Sequence, residues 1–441
     1  MKKSLLAVAA MTAFAGAAQA QSSVSVYGIL DVGYVGSTYN GTAVSVNASG
    51  TNNVAQVGSV SQKQTMNAIG QSAESTSRLG FKGSEDLGGG NSAIFTLETA
   101  ISPDGSVQGF TFNRQAFVGL KKNGLGATTI GTQYTPLFNA QSITDAAGNN
   151  NLVGNAVYSG ALQSSTGTYN QGQGPYAGPV PGNANISATA GQNLNASNGA
   201  YTTRVSNAVL FQTERMAGLQ GGLMYAQSND NLSQSGLAYA ANAGGVNNNT
   251  LLGANLDYVW NKLQVVAATM TIKNQDIGGT TANTAANATI AGGTAASFGT
   301  NMIDNQTYAA ATYDFGILKA YGQYITRKTT SVIDASQYGS RSAYQLGLRS
   351  QLTPVISAYA TMGLGKSSYY GSNNGINNFR TFQIGSDYNL SKRTNLYVAY
   401  GAFNQSSNGN VNNVVTTTAA QGAAAVGVSG ANYAVGVRHT F

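Results

Sequence analysis

The sequence predicts an all-β protein: a single antiparallel barrel of sixteen strands that crosses a lipid bilayer. Three observations predict it. Asp, Glu, Lys and Arg make up 8% of the residues, where a soluble domain carries about 25%. Hydrophobic residues are an ordinary 42%, so the polar share falls to Ser, Thr, Asn, Gln and 56 glycines. Third, short alternating segments are joined by connections that are short and long in turn. So uncharged an exterior promotes association in water. It suits a strand with one face in lipid and the other on a water-filled lumen.

The first element is a leader. Lys2 and Lys3 precede an apolar stretch from Leu5 to Ala18, too short for a permanent span, and Ala18-Gln19-Ala20 supplies a small-residue cleavage site. Residues 1–20 therefore read as a secretory signal peptide, and residues 21–441 as the barrel. Beyond the leader no run of about 18 apolar residues suggests a helical span. Cysteine is absent, which excludes disulfides and thiolate chemistry.

The strands follow from period-two alternation. In "VSVYGILDVGYV" Val24, Val26, Leu30, Val32 and Tyr34 share one face, and Ser25, Tyr27, Asp31 and Gly33 the other. "LLGANLDYVW" sets Leu252, Ala254, Leu256, Tyr258 and Trp260 against Gly253, Asn255 and Asp257. "SAYQLGLRS" sets Tyr344, Leu346 and Leu348 against Gln345, Gly347 and Arg349. "LQVVAATMTIK", residues 263–273, is apolar on both faces, so alternation leaves its orientation open.

Short joins fall at 85–90, 121–126, 214–220, 261–262, 316–317, 353–354 and 391–393. Long joins fall at about 36–73, 102–109, 134–200, 229–249, 274–303, 329–339, 370–377 and 405–430. Seven short and eight long joins give sixteen strands, an even number with both ends on the short-turn side. A barrel of this size holds an aqueous channel rather than a packed interior. In "YAVGVRHTF" Tyr433, Val435, Val437, His439 and Phe441 share a face, as expected of a closing strand that pairs with the first and sets an aromatic residue in the interfacial girdle.

Seven stretches resemble one family in its order: "SSVSVYGILDVGY", "SRLGFKGSEDLGGGNSAIFTLE", "NRQAFVGL", "TRVSNAVLFQT", "YDFG", "LSKRTNLYVAY" and "YAVGVRHTF". The chain resembles the trimeric general-diffusion porins of Gram-negative bacteria, of the neisserial and betaproteobacterial type. The resemblance implies an outer-membrane location among lipid and lipopolysaccharide, short turns on the periplasmic side and long loops outside. It also implies a homotrimer and a third loop, about 134–200, folded into the lumen. Tyr433 and Phe441 would form the signal read by the barrel-assembly machinery.

Selection in such a pore is steric and electrostatic. In the 134–200 connection Asp145 is the single charged residue, which thins the acidic side expected of a family constriction. In "SRLGFKGS" Leu79 and Phe81 face outward, placing Arg78 and Lys82 in the lumen. In "RVSNAVLF" Val205, Val209 and Phe211 face outward, placing Arg204 in the lumen. The resemblance adds Arg114, yet Arg114 shares parity with Ala116, Val118 and Leu120; a bulge would reconcile the two. Asp31, Glu98 and Asp145 are the opposing acids. The eyelet is thus expected to be net positive and to favour small anions in passive diffusion of ions and small hydrophilic solutes.

Two alternatives stay open: a channel selective for sugars or organic anions, with Tyr27, Tyr308 and Tyr397 too few to decide, and a barrel adhesin. Enzyme chemistry has almost no material in one histidine and no cysteine. No cofactor or metal is expected; Glu85 and Asp86 read as turn caps. The pI of 9.3 comes with no basic face able to follow a phosphate backbone, so no nucleic-acid partner is expected.

Overall fold

The computed structural model describes residues 23–47, 56–103, 114–158, 201–232, 245–278, 302–332, 335, 338–370, 375–407 and 424–441. The leader expected at 1–20 lies outside them, as do 104–113 and 159–200. Seventeen strands are formed: β1 (Ser23–Asn47), β2 (Gln56–Gln71), β3 (Arg78–Gly88), β4 (Asn91–Ala100), β5 (Gln115–Lys122), β6 (Gly126–Tyr134), β7 (Arg204–Thr213), β8 (Leu219–Leu232) and β9 (Gly245–Trp260). The second half runs β10 (Leu263–Gly278), β11 (Met302–Asp314), β12 (Lys319–Ser331), β13 (Tyr338–Gln351), β14 (Ile356–Tyr370), β15 (Gly375–Asn389), β16 (Thr394–Ser407) and β17 (Ala424–Thr440). The one helix among the described residues, α1 (Pro136–Ser142), follows β6.

Seventeen strands occupy sixteen wall positions. β1 pairs with β3 over Ser23–Ile29 and with β2 over Val32–Asn47, so β2 and β3 are two halves of one wall strand. Between them residues 72–77 leave the ladder. Every later strand pairs antiparallel with its neighbours, and β17 returns to β1 from Ile29↔Thr440 to Val44↔Ala424. Closure leaves no unpaired edge to recruit another chain.

The alternation is obeyed. Val435, Val437, Leu346, Leu364 and Leu256 are exposed outside, while Ala434, Gln345, Gln383 and Asn255 are buried inside. Phe441 is held in place: Gly28 and Phe441 exchange both backbone hydrogen bonds at 3.1 Å, and the Phe441 ring lies where a Cβ on Gly28 would stand.

All seven short joins fall where the sequence places them. The first long join is far shorter than the expected 36–73, because β1 continues to Asn47 and β2 begins at Gln56, with Val46 opposite Val57. Apolar alternation fades once strands rise out of lipid, whereas backbone pairing continues; the Gly, Thr and Ser there are strand residues with loop-like composition.

The ambiguous stretch in β10 is resolved. Val266, Ala268, Met270 and Ile272 point inward, and Val265, Ala267 and Thr269 outward. Its inner face is apolar because Leu137 and Ala140 of α1 cover it in one buried cluster with Tyr308 and Ile325.

Candidate pore constriction

The chain turns inward after β6. Thr135 caps α1 by accepting from the Phe138 N–H at 3.2 Å, and Pro136 opens the first turn. The segment that follows runs along the inner wall from β9 to β16, tied by side chains of β11 to β15. The hydroxyls of Thr144 and Tyr308 are 2.6 Å apart, and Gln323 donates to the Thr144 carbonyl at 2.6 Å. Asn150 donates to the Tyr359 hydroxyl at 2.7 Å, and Gln383 donates to the carbonyls of Leu152 and Val153 at 2.9 Å each. The loop turns back at Gly154, and Ala156 donates its N–H to Gln345 at 2.7 Å while its carbonyl accepts from Arg341. Contact is close enough that a Cβ on Gly401 would collide with the Val153 carbonyl. At the loop's far point Asn151 donates to Ser72 (2.6 Å) and Ala73 (2.9 Å), joining it to the kink in the second wall strand.

Two expected pore acids are not on the open lumen. Asp145 is 6% exposed, sandwiched between loop and wall. It accepts from the Asn149 N–H at 2.8 Å and from Asn155 and Gln345 at 3.2 and 3.3 Å. Burial pushes its carboxyl above the ordinary range, while donors including Asn149 and Gln323 pull it back. A lone acid in a neutral loop serves here as a cross-link for N–H donors rather than as a lumenal charge. Asp31 is fully buried and holds the wall kink, accepting from the N–H groups of Glu74 (2.8 Å) and Ser75 (2.6 Å) and from the Tyr397 hydroxyl (2.6 Å).

Glu98 does meet the basic residues. Arg114 donates through Nε to Glu98 at 2.6 Å and through Nη2 to the Tyr134 hydroxyl at 2.6 Å. Tyr27 donates to the other Glu98 oxygen at 3.1 Å. Arg114 therefore faces inward, against its parity. No bulge within β5 is needed: Arg114 sits at a bend just before the strand starts at Gln115, where alternation does not yet bind it.

Arg204 reaches the same place for a reason other than the one alternation offers. Val205 is fully buried rather than outward, because the β6–β7 register slips between Gly131 and Gln133 and Asn207 takes φ 55°. The Arg204 guanidinium lies 5.8 Å from the Tyr134 ring centroid, and its buried Nε and Nη1 have no hydrogen-bond partner among the described residues. Arg78 donates to the Thr76 carbonyl at 2.9 Å. Arg78, Arg114 and Arg204 share one electrostatic neighbourhood with Glu98, Tyr134 and Tyr158, the last on the inward loop. Lys82 lies lower on the same inner face, its ammonium 5.3 Å from the Tyr27 centroid.

Beyond the sequence reading, a second lumenal group gathers around the kink. Arg438 pairs with Glu74 at 3.1 Å and Arg349 with Asp387. Inward parity beside Tyr344, Leu346 and Leu348 marks Arg349 as lumenal; nothing local in the sequence marks Glu74, which leaves the ladder. Asp86 caps its turn by accepting from Gly88 N–H at 2.8 Å.

A closed sixteen-stranded barrel with a lipid-compatible outside, a polar inside and a loop folded into it defines a membrane pore. The family profile described as Gram-negative porin matches residues 7–410, and the chain belongs to this family of outer-membrane β-barrels. It is 27% identical to an outer membrane porin protein of Bordetella pertussis over 91% of this chain and 94% of that one. Identity to the outer membrane porin protein 32 of Delftia acidovorans is 34%, over 51% of this chain and half of that protein's length. Among solved structures, the anion-selective porin from Comamonas acidovorans superposes with a TM-score of 0.59 at 22% identity, covering 95% of this chain and all of that one.

Proposed function

We propose that this porin passes ions and small hydrophilic solutes by passive diffusion and prefers small anions. The observation that carries the reading is the convergence of Arg78, Arg114 and Arg204, with Glu98 the one carboxylate that meets them among the described residues. Asp145 and Asp31 are occupied in holding the loop and the kink. Arginine presents fixed positive charge at every relevant pH. In a wet lumen such charges bias passage rather than forbid it. The name of the Comamonas relative, an anion-selective porin, supports the same reading. The functional unit is proposed to be a homotrimer, by likeness to the family. Reconstitution in a planar bilayer under a salt gradient tests the selectivity: the reversal potential should have the sign of anion preference, and a cation-selective sign would refute it.

A further inference from the structure

Four cations of β10–β15 face the wrong way for a pore. Lys273, Lys328, Lys366 and Arg380 are exposed on the outer wall, and their neighbours along the strand point inward and are buried: Ile272, Arg327, Ser367, Phe379 and Thr381. Among the described residues none of the four is in an ion pair; Lys328 lies 4.4 Å from the Tyr338 ring centroid. No outward position of β10–β15 above the turns is acidic among the described residues.

Their heights agree. Lys273 is ten positions beyond Leu263 at the turn end of β10, and Lys328 nine beyond Lys319 at the turn end of β12. Lys366 is ten beyond Ile356 on β14, and Arg380 nine before Asn389 on β15. At roughly 3.3 Å per residue and a tilt of about 40°, nine to ten residues rise about 23–25 Å, the height of the apolar band of such barrels. Directly below lie Leu346, Met362, Leu364 and Phe382, all exposed to lipid. At the same height on β16 and β17 stand Asn404 and Ala431, so the basic arc covers one side of the barrel.

We infer that this arc binds the phosphorylated headgroups of lipids in the leaflet on the long-loop side. Cations at the edge of an apolar band, with no acid beside them, match phosphate in charge and position the acyl chains against the leucines beneath. The inference rests on the outer-membrane location, not on the proposed anion preference.

The test is native mass spectrometry of the purified full chain with diphosphoryl lipid A, its dephosphorylated form and inorganic phosphate as probes. The protein should retain diphosphoryl lipid A preferentially. K366Q/R380Q should lower its affinity about 25-fold, fivefold per removed cation, the equivalent of roughly 1 kcal/mol each. K273Q/K328Q should act similarly, and unaltered single-channel conductance certifies that each variant is folded. Unchanged affinity in both folded variants would overturn the inference, as would equal retention of the dephosphorylated lipid. Displacement of the lipid by millimolar inorganic phosphate would mean a site for free anions and would overturn it too.

Discussion

The inner surface has two kinds of polar wall. Along β11–β16, Tyr308, Gln323, Gln345, Tyr359 and Gln383 each direct a side chain at the inward loop, and the acid between them is consumed by N–H donors. Along β3–β7 three arginines crowd together with one carboxylate, and two buried nitrogens of Arg204 have no partner among the described residues. The first wall holds the loop in place. The second gathers more positive charge than its one carboxylate balances, at a cost in stability that a purely structural surface would avoid. A polar lumen is thus not uniform in role: side chains engaged with the loop mark the scaffold, and the excess of cations marks the proposed selective face.

This contrast can be broken by substitution. The largest effect is expected at Arg114→Ala, which strands the buried Glu98 carboxylate and should destabilise the barrel by about 3–5 kcal/mol in detergent unfolding. Arg204→Ala should be neutral or mildly stabilising in the same assay, since its buried Nε and Nη1 lose no partner among the described residues. If both arginines cost the same, the distinction between paired and unpaired cations fails.

Next in size is Gly401→Val, which forces the loop off the Val153 carbonyl. Overpacking of this kind costs about 1–3 kcal/mol, and altered single-channel conductance would report the displaced loop. Tyr308→Phe removes one hydrogen bond to Thr144 and should cost about 1 kcal/mol with conductance nearly unchanged.

The smallest effect is a pH dependence. Because burial raises the carboxyl of Asp145 in the folded barrel, folding favours its protonated form; its contribution to stability is fully present below the unfolded value and is lost as pH rises through the folded one. Asp145→Asn should therefore flatten the pH profile of thermal unfolding, with wild type losing ground to the variant as pH rises. A profile identical to wild type would place the carboxyl in solvent.

Much of this was legible in the sequence. Alternation and turn spacing gave the sixteen wall positions, the closing pair and the lumenal facing of Arg78 and Lys82. The double-sided apolar stretch in β10 was the one local sign of where the loop helix docks. Parity failed where the chain leaves the ladder: Arg114 precedes its strand, and Val205 lies on the near side of a register slip. The duties of Asp31 and Asp145 were not legible, because their partners come from residues far along the chain, such as Tyr397 and Gln345. Periodicity reports which side a residue faces, not what already occupies that side.

The most direct measurement is the reversal potential of Arg78→Ser/Arg204→Ser beside the unmodified porin, in one bilayer and one salt gradient. The anion preference should drop markedly toward zero while the channel still conducts. An unchanged potential would remove these side chains from the selective face and contradict the account.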